Sequence, residues 1–206
     1  MFGENSFFPV SLRRNFFKLS MPHNSNHINN LLASDIEHNV EVIAQKCYQC
    51  GKCTAGCPIA CEMDFPPSVV LRLLQTEDSV NDEKILRSHS IWLCVACEMC
   101  LSRCPAEIDI PSMMDYLRQR SINEKKVNRK AKNILAFHKS FLNSIKLTGR
   151  LHEISLVADY KRRSLKLMQD VNIAPKMLFR GKLPLLPEII RGVSHIRKIF
   201  KRTKTQ

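Results

Sequence analysis

The sequence predicts an all-α protein, and three observations support this prediction. The segment between the two groups of cysteines shows helical periodicity. Apolar residues recur at helical spacing in two long stretches of the second half of the chain. The 206 residues include only 6 Gly and 3 Tyr, which fits poorly with an all-β fold rich in tight turns.

The first half of the chain divides into short helices. Asp35 is a plausible N-cap for a helix over residues 36–46, which would lead the chain to its first cysteine. Pro66, Pro67 and Ser68 mark the start of a second helix. A short helix follows over residues 81–88, and residues 91–93 lead into the second group of cysteines. Pro111 opens another helix that runs through Leu117.

The spacing of apolar residues in the second half of the chain predicts two long basic helices, over about residues 125–147 and 151–168. The apolar stripe of the first should face the core, and it consists of Ile134, Leu135, Phe137, Phe141, Leu142 and Ile145. Gly181, Pro184 and Pro187 predict a loop. A last helix is expected over residues 189–200. Residues 1–34 mix Asn, His, Ser and Phe without a clear period, so we expect a flexible N-terminal arm.

Eight of the nine cysteines lie in two copies of C-x2-C-x2-C-x3-C-P. The first run contains Cys47, Cys50, Cys53 and Cys57, and the second contains Cys94, Cys97, Cys100 and Cys104. This run is typical of bacterial two-cluster ferredoxins, in which the fourth Cys of each run ligates the other cluster. The pattern therefore predicts two [4Fe–4S] clusters, which carry single electrons. Cluster 1 takes Cys47, Cys50, Cys53 and Cys104, and cluster 2 takes Cys94, Cys97, Cys100 and Cys57.

Two other roles for these cysteines are less favoured. A structural zinc site uses two C-x2-C pairs for one metal, whereas each run here has three cysteines at x2 steps. A disulfide framework favours an even count and a signal peptide, and the chain has nine cysteines and no continuous apolar leader. The ninth, Cys61, is interpreted as a small buried side chain. Trp92 is expected in the core, and Lys52 and Arg103, each beside a ligand, either offset cluster charge or are simply exposed.

Three regions follow from this organisation. We expect the arm at 1–34, a helical dicluster ferredoxin domain at 35–122 and a basic helical region at 123–206. Residues 1–120 carry 11 Lys and Arg against 14 Asp and Glu, whereas residues 121–206 carry 21 against 5. Such asymmetry indicates a solvated face or an acidic partner surface, with a membrane surface as a minor option. Nucleic acid is not favoured, because the tail matches no recognition motif.

Residues 47–58 and 91–100, with 181–187 in the tail, resemble the C subunit of heterodisulfide reductase and its bacterial relatives. The resemblance covers about residues 36–200. It implies an α-helical ferredoxin domain in an electron-transfer subunit, located between a flavin and iron–sulfur subunit and a CCG-type subunit that carries the disulfide-active site. Neither a nucleophile–base pair nor a phosphate loop stands out, so the word enzyme would apply only to the assembly.

The alternative is the iron–sulfur subunit of a quinone-linked dehydrogenase of the succinate or glycerol-3-phosphate type. The succinate type adds a [2Fe–2S] domain with four upstream cysteines, and none occurs before Cys47. The glycerol-3-phosphate type usually has Cys-Cys pairs, which are absent. No stretch approaches the ~20 apolar residues of a membrane span. Oxygen-labile clusters and free thiolates predict a cytoplasmic location.

Overall fold

A computed structural model describes residues 31–165 and 188–204 of the chain. Within these ranges every regular element is helical, which confirms the predicted fold class. Of the arm expected at residues 1–34, residues 1–30 lie outside the described part, as do the loop around Gly181 and the residues beyond 165 of the second long helix. Residues 32–34 are described and belong to the first helix, so the arm was predicted too long at this end. The α-helices are α1 Leu32–Val40, α2 Lys52–Ala55, α3 Pro67–Gln75, α4 Ser79–Leu86, α5 Ser90–Leu93, α6 Met99–Ser102, α7 Ile110–Asn123, α8 Lys132–Thr148, α9 Glu153–Ser164 and α10 Val193–Lys204.

Short 3-10 turns lie at Ala44–Lys46, Ala60–Glu62 and Arg129–Ala131. The first of them, together with α1, replaces the single helix expected over residues 36–46. Asp35 is not an N-cap, because α1 begins three residues earlier and encloses it. Its carboxylate is buried instead and lies 3.4 Å from the guanidinium of Arg120 on α7. That expectation was wrong because the partner is distant in sequence.

Several helix starts follow from local chemistry. Pro67 occupies the first turn of α3, where its missing N–H costs nothing. Asp78 caps α4 by accepting a hydrogen bond from the Val80 N–H at 3.1 Å. Asp109 caps α7 in the same way through the Ser112 N–H, at 3.1 Å. Pro67 and Asp109 therefore mark the starts of the helices that follow the two cysteine runs.

The apolar core lies among α1, α3, α4, α5 and α7. Its fully buried side chains include Ile36, Leu71, Ile85, Ile91 and Leu117. Trp92 is buried in this core, as expected. The short helices α2 and α6, one from each cysteine run, contact each other beside it. The core therefore holds both cysteine runs on one helical framework.

The C-terminal part packs through small residues. α9 and α10 both contact α8. The buried face of α8 carries Ala136, Ser140, Ser144 and Thr148 at intervals of four, which lets the helices approach closely. Of the expected core stripe, Ile134 and Leu135 pack partly buried against the core and Phe141 and Ile145 are half-buried, whereas Phe137 and Leu142 are exposed, so the stripe is correct only in part. α8 also begins at Lys132, later than expected, because a 3-10 turn precedes it.

Candidate iron–sulfur site

Four cysteines surround one cavity on the domain. Cys47, Cys50 and Cys53 come from the first run, and Cys104 comes from the end of the second run. The cavity encloses about 320 Å³, counting its open mouth. Leu71 and Ile110 from the core helices also line it, so its inner wall is apolar. This set of thiols is the one assigned from the sequence to cluster 1.

The other set combines Cys94, Cys97 and Cys100 with Cys57 from the first run. Burial raises the pKa of the Cys94 thiol above its ordinary value of 9.0, and the nearby Cys57 raises it as well. Burial also raises the pKa of Cys100, to about 11, with further contributions from Cys94 and Cys97. The effect of Cys57 on Cys94 links the first run to the second, and the assignment of all four thiols to cluster 2 stays a prediction.

The two runs adopt the same backbone path. The second residue after the first cysteine is left-handed in both loops, with φ of 56° at Gln49 and 51° at Ala96. The residue after the second cysteine is left-handed too, with φ of 74° at Gly51 and 60° at Glu98. Left-handed residues in a tight loop turn successive N–H groups toward one side, which suits an anionic group there. The x2 spacing therefore produces a cradle twice.

Exposure also repeats between the runs. The second cysteine of each, Cys50 or Cys97, is exposed. The third, Cys53 or Cys100, is buried, and the first and fourth are intermediate. Each set of thiols thus has one member at the surface and one in the interior.

Backbone N–H groups reach the sulfurs of the first set. Gln49 donates its N–H to Cys47 Sγ at 3.4 Å, and Ile108 donates to Cys104 Sγ at the same distance. Such donors stabilise thiolate charge and adjust the potential of a bound cluster. Burial raises the pKa of Cys53, so in a cluster-free chain this thiol keeps its proton at neutral pH. Cluster binding must therefore release protons.

Asp64 links the end of the first run to the start of the second. Its carboxylate accepts hydrogen bonds from the backbone N–H groups of His89 and Ser90, both at 2.8 Å, and of Phe65 at 3.0 Å. The Ser90 hydroxyl donates to it as well. These bonds anchor the start of α5, the helix that leads directly to Cys94.

Two side chains missed by sequence reasoning hold the loops. Gln75, at the end of α3, donates to the carbonyl oxygens of Ala44 and Cys47, both at 3.0 Å. Arg118 of α7 donates to the carbonyls of Ile91 and Cys94. Neither adjoins a cysteine in sequence, and no local pattern distinguishes them.

The structure also locates the other residues that the sequence analysis singled out near the cysteine ligands. Lys52 and Arg103 are exposed, and Lys52 also lines the cavity of the first set of thiols. The Arg103 side chain lies over Gly56, so close that an added Cβ there would meet its Cδ at 2.6 Å. Cys61 is exposed, so its assignment as a buried side chain was wrong. It lies on the 3-10 turn Ala60–Glu62, whose residues are not buried.

The donor sets fit [4Fe–4S] clusters. Each set offers four thiols, the number that such a cluster takes. In residues 31–165 and 188–204, no three His, Cys, Asp or Glu side chains converge closely enough to ligate a single metal ion. The thiols of the first set instead surround a cavity, which is the arrangement that a cluster of several metal ions requires. When bound, a cluster of this kind accepts and releases one electron.

Comparison with known proteins agrees with this chemistry. Residues 43–108 match the family model of the 4Fe-4S dicluster domain. This match lies inside the helical region expected at residues 35–122. The chain therefore contains a domain for two [4Fe–4S] clusters, as the cysteine runs predicted.

Curated relatives share the cysteine-bearing part. The C subunit of the ferredoxin:CoB-CoM heterodisulfide reductase of Methanosarcina acetivorans is 40% identical over 80 residues, which is 38% of this chain and 30% of the relative. The iron–sulfur C subunit of the CoB–CoM heterodisulfide reductase of Methanopyrus kandleri is 34% identical over 80 residues, covering 38% and 40%. The iron–sulfur C2 subunit of the same kind of reductase in Methanocaldococcus jannaschii is 34% identical over 90 residues, covering 43% of each chain.

The resemblance to the C subunit of heterodisulfide reductase is thus confirmed for the cluster-bearing region. The matched segment spans less than half the length of these relatives. Within the described residues, none of the helices is both long and apolar enough to cross a membrane.

Proposed function

We propose that this chain is an electron-transfer subunit of a heterodisulfide-reductase-like complex. Single electrons would pass through its two [4Fe–4S] clusters, between a flavin and iron–sulfur subunit and a disulfide-active subunit of the CCG type. Relatives named as iron–sulfur subunits of heterodisulfide reductase support this role. Their names do not describe a quinone-linked dehydrogenase, so that alternative is not favoured.

The observation that carries the proposal is the repeated exposure of one cysteine per set. Cys50 and Cys97 reach the surface, each near an exposed apolar side chain. Tyr48 is 74% exposed and Val95 is 62% exposed. A partner that covers either loop would bring its own redox centre close to one cluster without rearranging the domain. Two such surfaces are what a relay needs, one for entry and one for exit.

The chain's own residues would hold and insulate the clusters. We assign Cys47, Cys50, Cys53 and Cys104 to cluster 1, and Cys94, Cys97, Cys100 and Cys57 to cluster 2. The cavity that Cys104 shares with the first run supports this exchange of fourth ligands. The exchange would keep the clusters close together, because each run contributes to both. Buried Leu71 and Ile110 would exclude water from the inner side of cluster 1.

Partner subunits are supported by the surface of the C-terminal helices. Phe137 and Leu142 on α8 and Val157 on α9 are exposed on helices rich in Lys and Arg. Exposed apolar side chains are available for contact with a partner protein. A docked subunit therefore accounts for the basic region better than a free ferredoxin does. The oxygen-labile clusters and free thiolates support a cytoplasmic site of action.

The test begins with anaerobic purification from the native host, with iron, sulfide and flavin counted and associated subunits identified. About eight irons per chain, with a flavoprotein and a Cys-Cys-Gly-rich partner, are expected. Association with a flavin dehydrogenase and a membrane anchor would support the quinone-linked alternative instead.

Cysteine variants then test the relay itself. Cys50→Ser and Cys97→Ser should abolish turnover of the complex while leaving subunit association largely intact. Cys61→Ser is the matched control, since Cys61 is also exposed but lies outside both sets. The relay is excluded if turnover persists in a complex whose chain has lost both clusters.

A further inference from the structure

The two loops are held by corresponding contacts. In the first, a single side chain bridges the carbonyl of the first cysteine and the carbonyl three residues before it. This side chain is Gln75, whose Nε2 donates to Cys47 O and Ala44 O at 3.0 Å each. Its Oε1 accepts from Gln49 Nε2 at 2.9 Å, and Gln49 Nε2 also lies 3.5 Å from Cys47 Sγ. The first loop is thus held by uncharged amides.

The second loop has the same bridge with a different residue. Arg118 donates through Nε to Ile91 O and through Nη2 to Cys94 O, again the first cysteine and the residue three before it. The bridging helix follows the run in both cases, α3 after the first and α7 after the second. A neutral amide and a guanidinium therefore occupy equivalent positions.

The charge of Arg118 is directed at the second loop. Its side chain is 19% exposed, so water screens it only in part. Asp115 lies 2.7 Å from Nη1, but that carboxylate is 57% exposed and faces water. Arg118 reaches the loop directly through its bonds to Ile91 O and Cys94 O, whereas the Asp115 carboxylate is bonded to Arg118. The bridge at the second loop is therefore a charged group that is mostly shielded from water. At the first loop the bridge, Gln75, is neutral, and the cation that lines the cavity, Lys52, is exposed and screened by water.

We propose that Arg118 makes the two clusters inequivalent by holding cluster 2 at a higher reduction potential than it would otherwise have. Reduction adds one electron to a cluster already carrying four thiolates, and a nearby fixed positive charge favours the added negative charge. Arg118 is a positioning residue for the loop and sets the potential through its charge. The inference rests on the proposed ligand sets, and only its consequence rests on the relay: transfer of an electron from cluster 1 to cluster 2 is more favourable with Arg118 than without it.

The test uses the full chain with both clusters reconstituted anaerobically, followed by a redox titration monitored by electron paramagnetic resonance. Arg118→Gln gives the second loop the chemistry of the first. It should shift the midpoint of one cluster to more negative potential and leave the other unchanged. The shifted signal should be the one altered by Cys97→Ser, not by Cys50→Ser. Arg118→Lys keeps the charge and should retain most of the wild-type midpoint.

Controls separate charge from geometry. Gln75→Met removes the first bridge without changing any charge, so it should not reproduce the Arg118→Gln shift. Asp115→Asn removes the opposing carboxylate without touching the loop, and it should raise the midpoint of cluster 2. If Arg118→Gln does not retain its clusters, the midpoint of Asp115→Asn tests the charge effect instead. The proposal is overturned if Lys shifts the midpoint as far as Gln does, or if Asp115→Asn leaves the midpoint unchanged or lowers it. Because no partner is present, these results do not depend on the relay.

Discussion

Asp64 offers a sharp test of how the cluster 2 loop is anchored. Replacing it with Asn keeps the size of the side chain but leaves one oxygen and introduces an NH2 group. The oxygen can keep the bonds from Ser90 and Phe65 that Oδ1 now accepts. The NH2 group then faces the His89 N–H, which now donates to Oδ2 at 2.8 Å, so that bond is lost.

The expected cost is about 1.5 kcal/mol. Hydrogen bonds to charged groups contribute roughly 1.5–3 kcal/mol, and the lower end applies because Asp64 is exposed and water competes for it. This corresponds to about a tenfold change in the equilibrium between folded and unfolded chains. The unfolding rate should increase by at most this factor of about ten, because the loss of a bond accelerates unfolding only if that bond is already broken in the transition state.

The effect should not vary with pH near neutrality. Burial raises the pKa of Asp64, but hydrogen bonds from Ser90, His89 and Phe65 outweigh it and hold the value below the ordinary 3.8. A carboxyl with a depressed folded-state pKa stabilises the protein above its unfolded pKa, and this stability is lost as the pH falls through the folded value. The difference between the proteins should therefore be constant from about pH 8 to about pH 6.

The assay follows unfolding in urea under anaerobic conditions, with far-ultraviolet circular dichroism for the helices and visible absorbance for the clusters. Rates are compared because cluster loss makes unfolding irreversible. Asp78→Asn is the matched control: this exposed residue caps α4 through one bond, and Asn caps equally well. Equal rates for Asp64→Asn and Asp78→Asn would refute the anchoring role, as would a difference that changes between the two pH limits.

Two further substitutions test the core and the C-terminal helices. Leu71→Ala should lower the free energy of unfolding by roughly 2–5 kcal/mol, because Leu71 is 1% exposed and lines the first cavity. Val69→Ala, on the outer face of α3, should lower it far less. Urea midpoints compare the two variants, and equal losses would contradict the assigned core. Gly149→Ala should loosen α10 more than Gly192→Ala. Both glycines have positive φ, of 85° and 89°, but only at Gly149 would the new Cβ meet a side-chain carbon, Ile190 Cγ1 at 2.2 Å. Limited proteolysis measures the release of α10, and equal release would rule out this contact.

The chemistry of the site was readable from sequence because cysteine spacing is a local property. The x2 steps, the terminal Cys-Pro and their repetition predicted the dicluster domain that the family comparison identifies. The helical class was readable for a similar reason, since periodic apolar residues span each segment. Helix starts were correct at Pro67 and Ile110, where proline acts within the first turn.

The errors arose where distant residues decide the outcome. Asp35 resembles a cap locally, yet Arg120 draws it into the interior of the fold. Phe137 and Leu142 have the spacing of a core stripe, yet the buried positions of α8 belong to the small residues Ala136, Ser140, Ser144 and Thr148. Composition records which side chains are apolar, but not which face has room for a neighbouring helix.

The most consequential residue, Arg118, was missed because its role depends on a repeat that exists in space rather than in sequence. Cys47 and Cys94 begin loops with matching φ values and matching exposure. The bridging helices begin at different distances after each run, so an alignment by cysteine spacing does not bring Gln75 and Arg118 together. Only the shared carbonyl targets reveal the correspondence. Because the two bridges repeat in geometry but differ in charge, Arg118 is the feature by which we propose that cluster 2 has a higher potential than it would have with a neutral bridge.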